Sequence, residues 1–519
     1  MSWKSHIDEL RARERLAEQM GGGERVERQR SQGKLTVRER IAFLADPGSF
    51  HEVGKIAGKA GYGPDEQIAE FLPATMVFGR GTLNGRPAVI LGDDFTVRGG
   101  ASDASIAGKM LMAEQMANEY GMPIVRMIDG TGGGGSVKSL ETNPRTYIPT
   151  TPAWEWLVAN MQRSPVVSLA LGPCAGLGAG RVAASHFSVM VKGLSQVFVA
   201  GPPVAKAIGE NVDKEGLGGW EINGRNGVVD NVVNSEHEAF EHARRFLSYL
   251  PLNSSEAPPV LPPTDDPKRR EDFLIDIVPK DGKTPYMPRR IIEAVVDKTP
   301  DGSSFFEIGA LWGRQVVTGL ARIDGHPVAV IAGDPFFLDG AWTADACDKV
   351  VRHIDLADTF HLPVVHFVDC PGFAVGVKHE RAGVTRKGVR AMAAVYQAQT
   401  PILPIVIRKA YGLAGSVMFN PTKTRWRYCW PSGDWGSLPM AGGIEAAYKR
   451  QLEASDDPEA ELKALYRKFE AMRSPFRTAE AFIAEEIIDP RDTRPLVVEF
   501  VHHAYRVLKA EPRSFGMRP

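Results

Sequence analysis

Cysteine is scarce in this chain: four residues in 519, at Cys174, Cys347, Cys370 and Cys429, with no Cys-x-x-Cys pair among them. That pattern excludes a disulfide framework and a zinc ribbon. Long apolar runs are missing as well. No stretch of about 18 apolar residues occurs, so no membrane span is expected. Charge of one sign is also lacking: 62 Lys and Arg stand against 63 Asp and Glu, and the net charge is −1. No basic stripe with interleaved aromatics marks a nucleic-acid surface, so no nucleic-acid partner is expected. The first 20 residues read as a charged helix. They lack the apolar core of a signal peptide, and Asp8, Glu9, Glu14 and Glu18 argue against a transit peptide. The expected compartment is therefore the cytoplasm.

What is present is a repetition. Gly85-Arg-Pro-Ala-Val-Ile-Leu91 is answered by Gly325-His-Pro-Val-Ala-Val-Ile331, and Pro123-Ile-Val-Arg-Met-Ile-Asp129 by Pro363-Val-Val-His-Phe-Val-Asp369. Both pairs, and Lys109 with Lys349, keep one offset of 240 (325 − 85, 363 − 123, 349 − 109). Pro165-Val-Val-Ser-Leu-Ala-Leu-Gly-Pro-Cys-Ala-Gly176 is answered by Pro401-Ile-Leu-Pro-Ile-Val-Ile-Arg-Lys-Ala-Tyr-Gly412, where the offset has slipped to 236 (401 − 165). The length suits two large domains, and the duplication suggests two similar half-sites.

Each copy reads as strand, helix, strand, Gly-rich loop, helix, strand, Gly-rich turn, which makes an α/β architecture in each half. In the first copy Ser102 or Asp103 could cap a helix whose apolar positions Ile106, Met110, Ala113, Ala117 and Tyr120 share a face. Pro123–Ile128 reads as the next strand and runs into the glycine loop that contains Gly133 and Gly134. The proline-dense stretch 251–288 reads as a linker between domains 1–250 and 289–519. After the second copy, Asp457-Pro458 opens a charged helix to about Met472, and Val497, Val498, Phe500 and Val501 form an apolar stripe in the tail.

The glycine turns carry the chemistry. Gly172-Pro-Cys-Ala-Gly176-Leu177-Gly178-Ala-Gly180 leaves a strand and precedes a small-residue helix expected at 181–185. Ala410-Tyr411-Gly412-Leu413-Ala414-Gly415-Ser416 does the same before Val417. A glycine turn at a helix start aims backbone N–H groups and the positive end of the helix dipole at one point, which suits a phosphate or an oxyanion. A dinucleotide fingerprint would need Gly where Arg181 stands and an acid about 20 residues on. A P-loop would need Gly-Lys-Ser/Thr. Glycines serving only tight turns are the bland alternative, which recurrence at matching places weakens.

No side-chain set competes. His186 and His379 lie near the glycine segments, but no Gly-x-Ser-x-Gly elbow exists. Asp129 and Asp369 end matching strands and are expected to anchor loop amides rather than to act as acid or base. Lys109 and Lys349 are either solvated helix lysines or ligand contacts. A reaction that needs oriented amides and little acid/base help, such as enolate formation on a thioester, fits this inventory.

These residues resemble the carboxyltransferase (β) subunits of biotin-dependent acyl-CoA carboxylases of the propionyl-CoA carboxylase type. The likeness rests on Gly33-Lys-Leu-Thr-Val-Arg-Glu-Arg-Ile41, Gly99-Gly-Ala-Ser102, Gly172-Pro-Cys-Ala-Gly176, Val368-Asp-Cys-Pro-Gly-Phe373, Arg408-Lys-Ala-Tyr-Gly412 and Ile488-Asp-Pro-Arg-Asp-Thr-Arg494, in order along nearly the whole chain. It implies two tandem crotonase-like domains, each a ββα spiral, with the amino-terminal domain on the CoA side and the carboxy-terminal one on the biotin side. It also implies a β hexamer with active sites shared between subunits. Biotin would be carried by a separate biotin carboxylase/biotin carrier (α) subunit, since no Ala-Met-Lys-Met motif is present here. A coenzyme A thioester would be the substrate, and no metal is expected on this chain. Carried over, the oxyanion pairs are Gly176/Leu177 and Leu413/Ala414, with Tyr411, Gly415, Ser416, Gly133 and Gly134 as substrate contacts. Which pair serves which ligand stays open.

The chain departs from the family where Leu177 and Leu413 replace the second glycine of a Gly-Gly pair. Gly415-Ser416 replaces Tyr-Asp at a position expected to floor the acyl pocket, and Asn223 and Asn226 replace His and Ser. The segment 424–440 is longer and richer in tryptophan; Trp426, Trp430 and Trp435 are either core or an altered pocket. A decarboxylase or transcarboxylase subunit and a non-catalytic CoA-binding paralogue are the alternatives.

Overall fold

In the computed structural model the described residues are all except 1, 101–105, 132–143, 146, 147, 149, 152, 301, 438, 439, 441, 442, 514, 515 and 519. The chain divides into two compact units, Met1–Glu256 with Glu511–Pro519, and Ala257–Ala510.

The first unit is built on β1 (His51–Val53), β2 (Met76–Leu83), β3 (Arg86–Asp93), β4 (Ile124–Thr131), β5 (Val166–Ala175), β6 (Phe187–Val191), β7 (Gln196–Phe198) and β8 (Asn231–Val233). Its sheet runs β1-β2-β3-β4-β5-β6-β8, with β7 paired to the end of β5. The second unit has β9 (Phe306–Ile308), β10 (Val316–Ile323), β11 (His326–Gly333), β12 (Val364–Cys370), β13 (Ile402–Tyr411), β14 (Tyr428–Cys429), β15 (Asp434–Gly436) and β16 (Glu486–Ile487). Its order, β9-β10-β11-β12-β13-β14-β16 with β15 on β13, repeats the first strand for strand. Register repeats too: Val89 pairs with Ile124 and Ala329 with Val364, Ile124 with Val166 and Val364 with Ile402. Even the irregularity recurs, between Ile128 and Gly130 and between Val368 and Cys370. It reorients both strands at Asp129 and Asp369.

The central strands are parallel and covered on both faces, so they carry mostly apolar runs; Val166–Leu171 is buried at every position, Ser168 included. The crossover helices are α1 (Ala107–Glu119), α2 (Trp154–Arg163) and α3 (Leu177–Ala183) in the first unit. In the second they are α4 (Ala344–Thr359), α5 (Val384–Gln397) and α6 (Gly412–Gly415). Ser102 and Asp103, the expected caps, lie outside the described residues, and α1 begins at Ala107. The helix expected at 181–185 starts four residues earlier, at the turn itself. Buried Arg126 ties α3 down: it grips Glu114 of α1 at 2.7 Å and donates to the Ala184 carbonyl at 2.6 Å.

Outside the repeats, α7 (Pro458–Met472) is capped by Asp457, as expected from its sequence, and α8 (Thr493–Val507) buries Val497, Val498, Phe500 and Val501. The stretch 251–288 is more than a linker. Leu274, Val278 and Tyr286 sit in the core of the second unit, because three large apolar side chains in an otherwise proline-rich segment gain more from burial than from exposure. Met517, at the far end of the expected carboxy-terminal domain, is buried in the first unit.

Candidate functional site: two glycine turns

β5 ends at Ala175 and α3 begins at Leu177; between them Gly176 adopts φ 56°, ψ −117°. That is the first central position of a type II′ turn, which a Cβ disfavours. β13 ends at Tyr411, and Gly412 follows with φ 56° as well. A short side strand flanks each turn, pairing Phe198 with Ala175 and Gly436 with Tyr411. A Cβ on Gly176 would lie 3.8 Å from the Val199 carbonyl oxygen, and one on Gly412 3.3 Å from that of Ser437. The counterpart of Gly176/Leu177 is thus Gly412/Leu413; the Leu413/Ala414 pair expected from the sequence stands one residue later.

The Gly176 N–H donates to the Val199 carbonyl at 3.1 Å, inside the protein. Leu177 and Gly178 are the first two residues of α3, and Gly412, Leu413 and Ala414 the first three of α6, so their N–H groups have no intrahelical acceptor. The two leucines have a physical explanation. Positive φ falls on Gly176 and Gly412, which are retained, while Leu177 and Leu413 occupy helical positions that any L residue can take. The backbone donors survive the change from Gly-Gly to Gly-Leu. The side chains become walls: Leu413 is 53% exposed.

Beside the second turn lies a cavity of about 210 Å³, lined by Ala410, Gly412, Gly415, Ser416, Met418 and Trp435 among others. Gly415 is required there by close packing, since a Cβ would come within 2.5 Å of the Ala410 carbonyl carbon. The Ser416 hydroxyl donates to the Leu413 carbonyl at 2.7 Å. Tyr411 is buried and is not among the lining residues; its hydroxyl is held by Asp434 and Arg473, and burial pushes its pKa up. The tryptophans split. Trp435 is a cavity wall, its indole donating to Thr478 at 3.1 Å. Trp430 is core, bonded to Thr493 at 3.0 Å, and Trp426 packs edge-on against Phe500.

Behind each turn stands a buried charge cluster. Asp129 accepts from Lys34 at 2.6 Å and from Arg40 at 2.8 Å, and Arg40 continues to Glu236 at 2.7 Å. Asp369 accepts from Arg408 at 3.1 Å, the Tyr286 hydroxyl at 2.9 Å and the Lys409 amide at 3.0 Å. Burial raises the Asp369 pKa, against the pull of Arg408. Both aspartates anchor structure, chiefly through buried side-chain donors rather than through the loop amides expected from the sequence. Lys349 donates to the carbonyls of Gly309, Trp312 and Val316, a structural role, and Lys109 is buried rather than solvated. Buried His186 accepts from the Val166 amide, and Asn223 donates to the carbonyls of Val197 and Gly218. Gly133 and Gly134 lie outside the described residues.

A further cleft, of about 540 Å³ beside Pro173, is not anticipated by the sequence motifs. It is lined by Arg25, Arg28, Lys34, Arg98 and Lys214, with Phe95 on one wall. Arg25 and Arg28 sit three apart on the helix Gly23–Ser31, hence on one face. That spacing is the one local signal of the cleft, in a segment whose composition is merely polar.

Paired ββα spirals, each ending in a turn that offers backbone donors at a helix start, define a tandem crotonase-like enzyme. Residues 28–515 match the model of the carboxyl transferase domain family. The chain is 31% identical to the propionyl-CoA carboxylase carboxyltransferase subunit of Haloferax mediterranei, covering 99% of this chain and 98% of that protein. It is 32% identical to the methylmalonyl-CoA decarboxylase subunit alpha of Veillonella parvula, covering 93% of each. Its fold matches the crystal structure of the transcarboxylase 12S hexamer, with hydrolysed methylmalonyl-coenzyme A bound, at a TM-score of 0.87 and 30% identity over 100% of this chain and 98% of that one. The chain belongs to the carboxyl transferase family, and it is an acyl-CoA carboxyltransferase. No helix among the described residues is long and apolar enough to cross a membrane.

Proposed function

We propose that this chain is the carboxyltransferase component of a biotin-dependent acyl-CoA carboxylase, working with a biotin carboxylase/biotin carrier subunit and assembled as a homo-oligomer, a hexamer by analogy with the 12S core. The single observation that carries the reading is the recurrence of one turn geometry, with Gly176 and Gly412 at the same φ and helix-start amides without intrahelical acceptors after each.

Carboxybiotin, delivered by the partner, supplies the carboxyl group and a ureido nitrogen able to take the α-proton. The residues fit such a ligand: a urea or thioester oxygen needs only donors, and the start of each turn helix offers them. Among the described residues, the only charged one lining the second cavity is Arg427, held by Glu485 at 2.7 Å, so these walls supply no base. The chain's own task is to hold two carbonyl oxygens. Amides of Leu177 and Gly178 at one turn, and of Gly412, Leu413 and Ala414 at the other, face the oxygen as charge builds on it, and each such donor is worth roughly 10²–10³ in turnover. The basic cleft of the first unit suits the phosphates of CoA. Ser416, Gly415 and Trp435 would meet the group that enters the second cavity.

The experiment supplies the partner, bicarbonate and ATP, and screens short, branched, unsaturated, hydroxylated and aromatic acyl-CoAs. Carboxylation of at least one is expected. If none reacts while CoA still binds, the proposed function fails.

A further inference from the structure

The β10–β11 hairpin carries a cluster unrelated to the glycine turns. The hairpin turns through Asp324 and Gly325, at φ 48° and 77°, between the paired residues Ile323 and His326. Two consecutive positive φ values make a type I′ turn, whose geometry matches the strand twist. Donor atoms of Asp324, His326 and His502 of α8 all lie within 4.8 Å of one another.

Four observations make this a built cluster. The turn amides of Asp324 and Gly325 each donate to a carboxylate oxygen of Asp297 at 2.8 Å, and buried Asp297 is gripped at 2.9 Å by Arg494, on the helix that also carries His502. Hairpin and helix are therefore clamped together beneath the cluster. His326 Nδ1 lies 2.8 Å from the Asp324 carbonyl oxygen. A carbonyl can only accept, so Nδ1 carries the proton there, and in the neutral ring Nε2 keeps its lone pair, the arrangement found in metal-ligating histidines. Tyr505 packs edge-on against the His326 ring at 4.7 Å and donates to the Pro327 carbonyl at 2.7 Å, which fixes the ring's orientation. His502 Nε2 sits 2.8 Å from Asp324 Oδ2, and its side chain is 45% exposed, which leaves an entry path.

We propose that Asp324, His326 and His502 form a binding site for a divalent transition-metal ion. Two imidazoles and one carboxylate select zinc, nickel or copper over magnesium or calcium, which prefer all-oxygen sets. Ligand atoms around one tetrahedral ion lie roughly 3.3 Å apart, as bond lengths of about 2.0–2.1 Å require. Binding needs the three groups, now within 4.8 Å of one another, to close to that spacing. Three protein ligands leave a position for water or for a group from another molecule. The site stands at the start of β11, whereas the glycine turn follows the end of β13, parallel to β11 and separated from it by β12, so the ion takes no part in carboxyl transfer.

The test strips the full-length protein with EDTA, desalts it, and titrates Zn²⁺ by calorimetry and by competition with a chromophoric chelator. One Zn²⁺ per chain is expected here, with at least about tenfold weaker binding in His326→Ala and in His502→Gln. Zn²⁺ should raise the melting temperature of the wild type and not of the double variant, and Mg²⁺ should raise neither. If His326→Ala fails to fold, the exposed His502→Gln decides alone. Equal stoichiometry and affinity in wild type and variant, an equal response to Mg²⁺, or no Zn²⁺ binding at all overturns the proposal. Carboxyl transfer by the variants, measured in parallel, should stay at the wild-type rate.

Discussion

Gly176 and Leu177 divide the labour of the first turn between them. The glycine supplies a backbone conformation, and the leucine supplies a donor at a position where its φ is helical. Leu177→Pro therefore tests the donor cleanly, because proline is tolerated at the first position of a helix and breaks no intrahelical bond. Turnover should fall by about 10²–10³ with the melting temperature nearly unchanged; wild-type turnover in a folded variant would remove Leu177 from the chemistry. The turns themselves are legible as glycine clusters after β-branched runs. Which adjacent residue carries the positive φ is not, because that depends on β7 and β15, paired to the turn from over twenty residues away. A second residue-scale prediction concerns His366, fully buried, whose burial lowers its pKa from 6.5 to about 4. Between those values the unfolded chain takes up a proton that the folded chain does not, so stability falls as pH drops through this window, by up to about 3 kcal/mol. Urea unfolding at pH 8 and pH 5 should show a smaller loss in His366→Leu than in the wild type; equal losses refute the assignment.

At the scale of elements, the sheets are held to the segments around them by ion clusters rather than by apolar packing alone. Arg40, on the helix Val37–Leu44, is fully buried and reaches Asp129 at the end of β4, Glu236 on the helix Glu236–Tyr249, and the Leu171 carbonyl of β5. Truncating it leaves buried Glu236 without its cation and Asp129 with Lys34 as its one remaining ion-pair partner. Arg40→Met should destabilise the first unit by about 3–5 kcal/mol, read as a lower urea midpoint. A change under about 1 kcal/mol would mean that water replaces the guanidinium. This organisation is hidden in the sequence. The stretch holding Arg40 reads simply as polar, and nothing local announces that an arginine will be covered from several directions. The same blindness applies to 251–288, where proline density points to a linker although Leu274, Val278 and Tyr286 complete a core. Local composition reports what a segment can do alone, and these segments owe their burial to strands far along the chain.

For the whole molecule the repeat sets two constraints. Strand order recurs throughout, and the central strands β2 to β5 recur as β10 to β13 at the offsets visible in the sequence, so the α/β architecture of each unit is legible in the amino-acid sequence itself. The units differ in what surrounds the turn, however. The first turn has a basic cleft, and the second an apolar cavity with Trp435 as a wall. An acyl-CoA is a polyanion joined to a small acyl group, so its affinity should depend on the cleft and its turnover on the turns. Arg25→Ala and Arg28→Ala should each raise the KM for acyl-CoA several-fold and flatten its dependence on salt, because each removes one screened charge, while kcat changes little. Leu177→Pro should do the reverse, lowering kcat with KM nearly constant. Combining Arg28→Ala with Leu177→Pro should multiply the two effects on kcat/KM, since one acts on ground-state binding and the other on charge that develops only during reaction. If instead Arg28→Ala lowers kcat as strongly as Leu177→Pro, the cleft and the turn act as one unit, and the separation of anchoring from chemistry proposed for this chain is wrong.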